Sequence, residues 1–121
     1  MPDQTLDEAT LAQLLETVGG DHAFLAELIE TYLADSPALL DDMRGALASG
    51  DRVALRRAAH TLKSTSASLG ALALAATCRE LEAAAADAPP AELLALAEQV
   101  THDYGPARAA LEARGTQEGA T

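Results

Sequence analysis

Glycines, two of them followed by aspartate, cut this chain into a series of leucine- and alanine-rich stretches, and that punctuation constrains its fold more than any other feature. Gly19-Gly20-Asp21, Gly50-Asp51, Gly70 and the Asp87–Pro90 segment are the break points. Glycine ends a helix readily because it accepts the left-handed conformation, and aspartate starts one by accepting hydrogen bonds from the free N–H groups of the first turn. Between the breaks, apolar residues recur at three and four, the period of an amphipathic helix. Leu6 to Thr17 carries Leu6, Leu11, Leu14 and Leu15, with Asp7 and Glu8 in its first turn. The next stretch carries Phe24, Leu25, Leu28, Ile29, Tyr32 and Leu33, then Leu39, Leu40, Met43 and Leu47. Pro37 either begins a new helix there, capped by Asp35 or Ser36, or kinks a longer one. A third helix is expected from about Arg52 to Leu69, and a fourth from Leu72 to about Ala86 with Leu72, Leu74, Ala75, Cys78 and Leu81 on its apolar side. The last starts at Pro90 and holds Leu93, Leu94, Leu96, Ala97, Val100, Tyr104 and Leu111; Gly105-Pro106 is expected to kink or divide it. Met1 to Thr5 and Arg114 to Thr121 read as frayed ends.

Composition supports the same architecture. Hydrophobic residues make up 49% of the 121 positions, nearly all Ala and Leu, and aromatics only 2%. Such a core favours helices over strands. Helices with one apolar stripe each bury it best as a bundle. The expected fold is therefore all-α: an antiparallel four-helix bundle with an additional short N-terminal helix over one end. One domain over residues 1–121 is expected, with an ordered core from about 6 to 113.

The net charge of -11 argues against nucleic acid and against anionic membrane surfaces as partners. Half of the eight cations, Arg52, Arg56, Arg57 and Lys63, cluster in one short stretch. A local basic site on an acidic body attracts an anion without general polyanion affinity. The single cysteine, Cys78, rules out an intrachain disulfide and reads as a small buried hydrophobe. A signal peptide and a membrane-spanning run are both lacking, so a cytoplasmic location is expected.

His60 is the residue to which that basic stretch points. On a helical plot Leu55, Ala58, Leu62 and Leu69 fall on one face. Val53, Arg56, Arg57, His60, Lys63, Ser64 and Ala67 fall on the other, which places the imidazole among positive charges and away from the core. A histidine that receives a phosphoryl group needs exposure for a partner to reach it, a neutral nitrogen to attack, and nearby cations to balance the product. Lys63, Arg56 and Arg57 lie three or four residues away and can reach the ring. Ser64 is small and polar, able to hydrogen-bond an imidazole nitrogen or simply to leave room, and Ala67 is small as well. Local spacing sets no acidic residue beside His60. Nucleotide-binding glycine loops and other catalytic groups are missing too, which favours a passive carrier over an enzyme. His22 and His102 read as ordinary structural or surface histidines. Metal binding at His60 is disfavoured by its cations and by the lack of a second ligand one turn away.

The stretch Ala59-His60-Thr61-Leu62-Lys63-Ser64, followed by small residues up to Leu69-Gly70, resembles the histidine-containing phosphotransfer (HPt) domain of multistep two-component phosphorelays. The resemblance continues at Leu74, Cys78, Leu81 and Glu82, where that family often has Cys-x-x-Leu-Glu, and at Gly20-Asp21 with Phe24-Leu25 and Gly50-Asp51. Ser64 stands where glycine is more frequent. The resemblance implies that His60 accepts a phosphoryl group on Nε2 from the aspartate of one receiver domain and passes it to another. Lys63 would balance the phosphate charge, Ser64 would be the small residue beside the ring, and Gly70 would make the turn. Receiver domains of a hybrid histidine kinase and of a downstream response regulator are the implied partners. The chain would need no cofactor of its own, Mg2+ would belong to the receiver, and a monomer is expected. The expected docking surface comprises Arg56, Arg57, Ala67 and Ser68, with Leu11 or Leu14 of the first helix adding an apolar patch.

Two other readings stay open on sequence. A module that binds receivers without accepting phosphate would keep the same surface. A kinase-dimerisation fragment would use the leucine-rich face to self-associate.

Overall fold

The computed structural model describes residues 5–120. They form five helices: α1 (Glu8–Thr17), α2 (His22–Ser49), α3 (Arg52–Ser68), α4 (Leu72–Ala84) and α5 (Pro90–Gly119). The caps follow the expected chemistry. The carboxylates of Asp7, Asp21 and Asp51 accept from the N–H groups of Thr10, Phe24 and Ala54, and Gly50 closes α2 with φ +71°. Asp7 is thus the cap of α1 rather than part of its first turn.

Helices α2 to α5 pack in a ring, each on its two neighbours in the order α2, α3, α4, α5 and back to α2. Short turns join them, so successive helices run antiparallel. The centre is aliphatic: Leu25, Ile29, Leu55, Leu62, Leu81, Val100 and Leu111 are all within 1% of complete burial. Hydroxyls cross-link this core. Tyr32 Oη pairs with Ser66 Oγ at 2.8 Å, joining α2 to α3, and Ser36 Oγ pairs with Tyr104 Oη at 2.6 Å, joining α2 to α5. Burial pushes the Tyr32 phenol up to about 12. Phe24, Leu72 and Leu94, which periodicity puts on apolar faces, are instead exposed. Among the described residues, no helix is long and apolar enough to cross a membrane.

Of the alternatives left open at the two prolines, the structure takes the longer helix, and the expected loose tail is corrected. Neither proline divides its helix: Pro37 lies inside α2 and Pro106 inside α5. An internal proline costs about 3 kcal/mol or more. Both are exposed, while Ser36 and Tyr104 beside them are buried and bonded to each other, so packing on each flank carries the helix through. Nor is 114–120 a loose tail. Residues up to Gly119 continue α5, with the Glu118 side chain buried. Arg114 donates to Glu118 Oε1 and to both oxygens of Glu8, and His22 Nδ1 lies 2.5 Å from Glu118 Oε2. This network ties α1, α2 and α5 together and gives His22 a structural partner. The expected frayed start at 1–4, and Thr121, lie outside the described residues.

The α1 helix sits across the α3–α4 turn. Gly70 makes that turn with φ +81°, and its carbonyl accepts from the Asp7 N–H at 2.8 Å. A Cβ at Gly70 would stand 2.9 Å from the Asp7 carbonyl oxygen. Glycine is therefore required twice over, by conformation and by space.

Candidate functional site

The site is built on the middle of α3. Ala59 and Leu62 are fully buried, and their burial fixes the rotation of the helix. His60 then projects outward with 58% of its side chain exposed. On α4, Cys78 and Leu81 are fully buried and turn Glu82 toward α3. The Cys78 thiol, pushed up to about 12 mainly by burial, is inert packing.

Glu82 is the group that local spacing around His60 fails to show. Its Oε2 lies 2.9 Å from His60 Nδ1, and its Oε1 accepts from Lys63 Nζ at 2.6 Å. One carboxylate thus holds both the ring and the nearby ammonium. Lys63 lowers the Glu82 pKa most, outweighing partial desolvation, and His60 adds to the effect, so this carboxyl lies below its ordinary 4.5. An ionised carboxylate only accepts hydrogen bonds. In the neutral imidazole the proton therefore sits on Nδ1, facing Glu82, and Nε2 keeps its lone pair. The tautomer is set by the partner of the other nitrogen, as is usual for histidine. The expectation that no acid stands beside His60 is corrected: Glu82 comes from the adjacent helix. The Cys-x-x-Leu-Glu pattern of 78–82 was its sequence signal.

The other expected residues are distributed around this centre. Ser64 is exposed, and its backbone carbonyl accepts from Ser68 Oγ. Among the described residues, its hydroxyl makes no bond to the ring, so it leaves room beside His60 rather than holding it. Arg56 is exposed and shares a hollow with Lys63, Arg79 and Glu82. Arg57 is also exposed but faces the α2 side of α3, beside Asp41, Asp42 and Thr61. The cations therefore flank His60 on both sides instead of converging on it. Ala67 is half-buried and Ser68 exposed.

Leu14 and Leu11 part company. Leu14 is half-buried and lines an apolar groove of about 660 Å³ with Leu28 and Leu39 of α2 and Thr61, Thr65 and Ser68 of α3. Leu11 is completely buried and takes no part in any surface. Its side chain is what seats α1 on the bundle, so as a docking residue it is withdrawn. His102 is exposed near the middle of α5.

Comparison with known proteins agrees with this architecture. The family model described as "Hpt domain" matches residues 27–110, a span that contains His60, Lys63 and Glu82. No curated protein matches the chain significantly. Among solved structures, the crystal structure of histidine-containing phosphotransfer protein B (HptB) from Pseudomonas aeruginosa PAO1 is similar, with a TM-score of 0.85 and 31% sequence identity over 96% of this chain and 98% of that one.

Proposed function

We propose, from the premise that this chain belongs to the Hpt domain family, that His60 is its phosphoacceptor, loaded by the aspartyl phosphate of one receiver domain and unloaded onto the aspartate of another. Members of this family are phosphorelay intermediates that interact with receiver domains and carry phosphate without independent catalysis. The observation that carries the assignment to His60 is its pairing with Glu82, whose carboxylate accepts from Nδ1–H and leaves the Nε2 lone pair of this exposed side chain as nucleophile.

The step balances without a further base. The Nε2 lone pair attacks phosphorus, the N–P bond forms, and the P–O bond to the receiver's aspartate breaks with both electrons going to the departing carboxylate. The proton stays on Nδ1. The ring becomes a phosphorylated imidazolium whose positive charge faces the Glu82 carboxylate, and the adjacent negative carboxylate stabilises it. Lys63, held within reach by Glu82 Oε1, counters the charge on the phosphoryl oxygens. Transfer onward is the same step reversed. Positioning and electrostatics dominate phosphoryl transfer, and any divalent metal would be the receiver's contribution.

The apolar groove beside His60, with Leu14 at its α1 edge and Ser68 and Thr65 on α3, suits the transient docking of a receiver. Arg57 lies in the neighbouring hollow on the α2 side of α3, and Ser64 keeps the approach to Nε2 open. The chain acts as a single domain and a monomer.

The test is transfer of labelled phosphate from a phosphorylated receiver to the wild-type chain and to His60→Gln. An acid-labile, base-stable label on the wild type alone supports the reading. Receiver binding without any label on His60 would instead mark a module that docks but does not carry.

A further inference from the structure

Among the described residues, three of the chain's eight cations have no partner. Arg44, Arg108, Arg114 and Lys63 each pair with a carboxylate, and Arg52 donates to the Ala85 carbonyl. Among the described residues, Arg56, Arg57 and Arg79 make no ion pair and no side-chain hydrogen bond. A chain with 19 acidic residues has carboxylates to spare, yet leaves these three guanidiniums free, all on the two helices that carry His60 and Glu82. Arg56 lies one turn before His60, and Arg79 about one turn before Glu82. Both open on the same hollow, about 470 Å³, on the α4 side of the histidine. Lys63 and Glu82 form its inner wall and largely neutralise one another. Arg57 lies on the other side of α3, with Asp42 beside it to offset its field.

We infer that Arg56 and Arg79 form a basic clamp that takes a carboxylate-bearing segment of the incoming receiver, setting encounter rate and partner choice on the side of His60 opposite the apolar groove. This rests on the reading of His60 as a phosphocarrier. Charge complementarity is the argument. A domain that presents a phosphorylatable aspartate and holds a divalent cation must gather carboxylates around that site. At a net charge of -11 this chain on balance opposes the approach of such a surface. Two unpaired guanidiniums beside the nucleophile reverse the sign locally and offer fork-shaped donors matched to carboxylates. Charges of this kind act chiefly on association rate and specificity.

The experiment measures phosphotransfer from a receiver loaded with a small acyl phosphate to the wild type, Arg56→Gln, Arg79→Gln, the double variant and Arg44→Gln, at low and high salt. Arg44→Gln removes the same charge from a remote ion pair. The double variant is expected to lower the second-order rate constant on the order of 10-fold at low salt and to flatten its salt dependence. The rate at saturating receiver and the lifetime of the isolated phosphorylated chain stay as in the wild type. Circular dichroism checks that each variant is folded. An equal loss in Arg44→Gln would reduce the effect to bulk charge and overturn the clamp, as would no loss in the double variant. A changed phosphohistidine lifetime would place the arginines on the phosphoryl group instead. Receiver binding is titrated in parallel: salt-sensitive binding through both arginines with no label on the wild type would sink the carrier reading and leave the clamp standing.

Discussion

His60 and Glu82, 22 positions apart, meet at 2.9 Å across the interface of α3 and α4, and the second oxygen of the same carboxylate holds Lys63. Removing Glu82 therefore disturbs two groups at once. Glu82→Ala frees the ring tautomer and releases Lys63, and is expected to slow transfer about 10- to 100-fold, the scale of losing a positioning contact. Glu82→Gln can still accept from Nδ1–H through its amide oxygen but lacks the charge that faces the imidazolium, so it should fall in between. Imidazole 15N shifts give the independent readout: the wild type should show Nδ1–H in the neutral ring, and Glu82→Ala a mixture. Unchanged shifts and rates in Glu82→Ala would show that the pairing is incidental.

The Glu118 network sets an acid limit on the fold. Burial raises the carboxyl's pKa, but bonds from Arg114 and His22 outweigh it, so the pKa ends below the ordinary 4.5. A depressed carboxylate contributes stability that is complete above the unfolded value and is lost as pH falls through the folded one. Urea midpoints of the wild type should therefore hold steady down to about pH 5 and drop below it. Glu118→Gln should start lower at neutral pH and lose less on acidification. Arg114→Ala, which strips the buried carboxylate of its strongest partner, should cost about 1–3 kcal/mol at pH 7. Parallel pH profiles for wild type and Glu118→Gln would mean the network is not coupled to folding.

At Gly70, alanine would need a left-handed backbone, at about 1–2 kcal/mol, and would press on the Asp7 carbonyl. The expected loss is therefore at least about 2 kcal/mol, read from denaturant unfolding. Because the same contact anchors α1, receiver binding should weaken as well, while label on His60 from saturating receiver persists. A neutral Gly70→Ala would show that α1 shifts freely.

Much of this architecture is written in local chemistry. The aspartate caps and the glycine at the end of α2 are short-range signals, and so is the outward rotation of His60, set by Leu55, Ala58 and Leu62 on the opposite face. What escaped depends on contacts between helices. Glu82 reaches His60 only because α4 packs on α3. The 114–120 segment has weak helical composition, yet Arg114 and Glu118 find partners on α1 and α2. Gly115 lets the last turns approach α2: a Cβ there would stand 3.2 Å from Ile29 Cγ2. Leu11 carries the same spacing as Leu14, and only the docking of α1 decides which of them is core. Pro37 and Pro106 look like breaks until the buried Ser36–Tyr104 pair beside them is seen.

Folding and chemistry should separate cleanly on α3. Leu62 is completely buried between Ala59 and Ser66, both fully buried as well. Leu62→Ala should cost on the order of 2–5 kcal/mol, the transfer term plus the cavity left behind. His60, one helical step outside that core, makes its contact with Glu82 at the surface, where losing such a polar pair costs at most about 1 kcal/mol. His60→Gln should therefore unfold within about 1 kcal/mol of the wild type while carrying no phosphate. Chemical denaturation and label transfer on the same two proteins test both halves. If His60→Gln loses several kcal/mol, the ring belongs to the core and cannot be the group presented to a receiver. If Leu62→Ala keeps its stability yet loses transfer, the α3 face has been rotated from the orientation described.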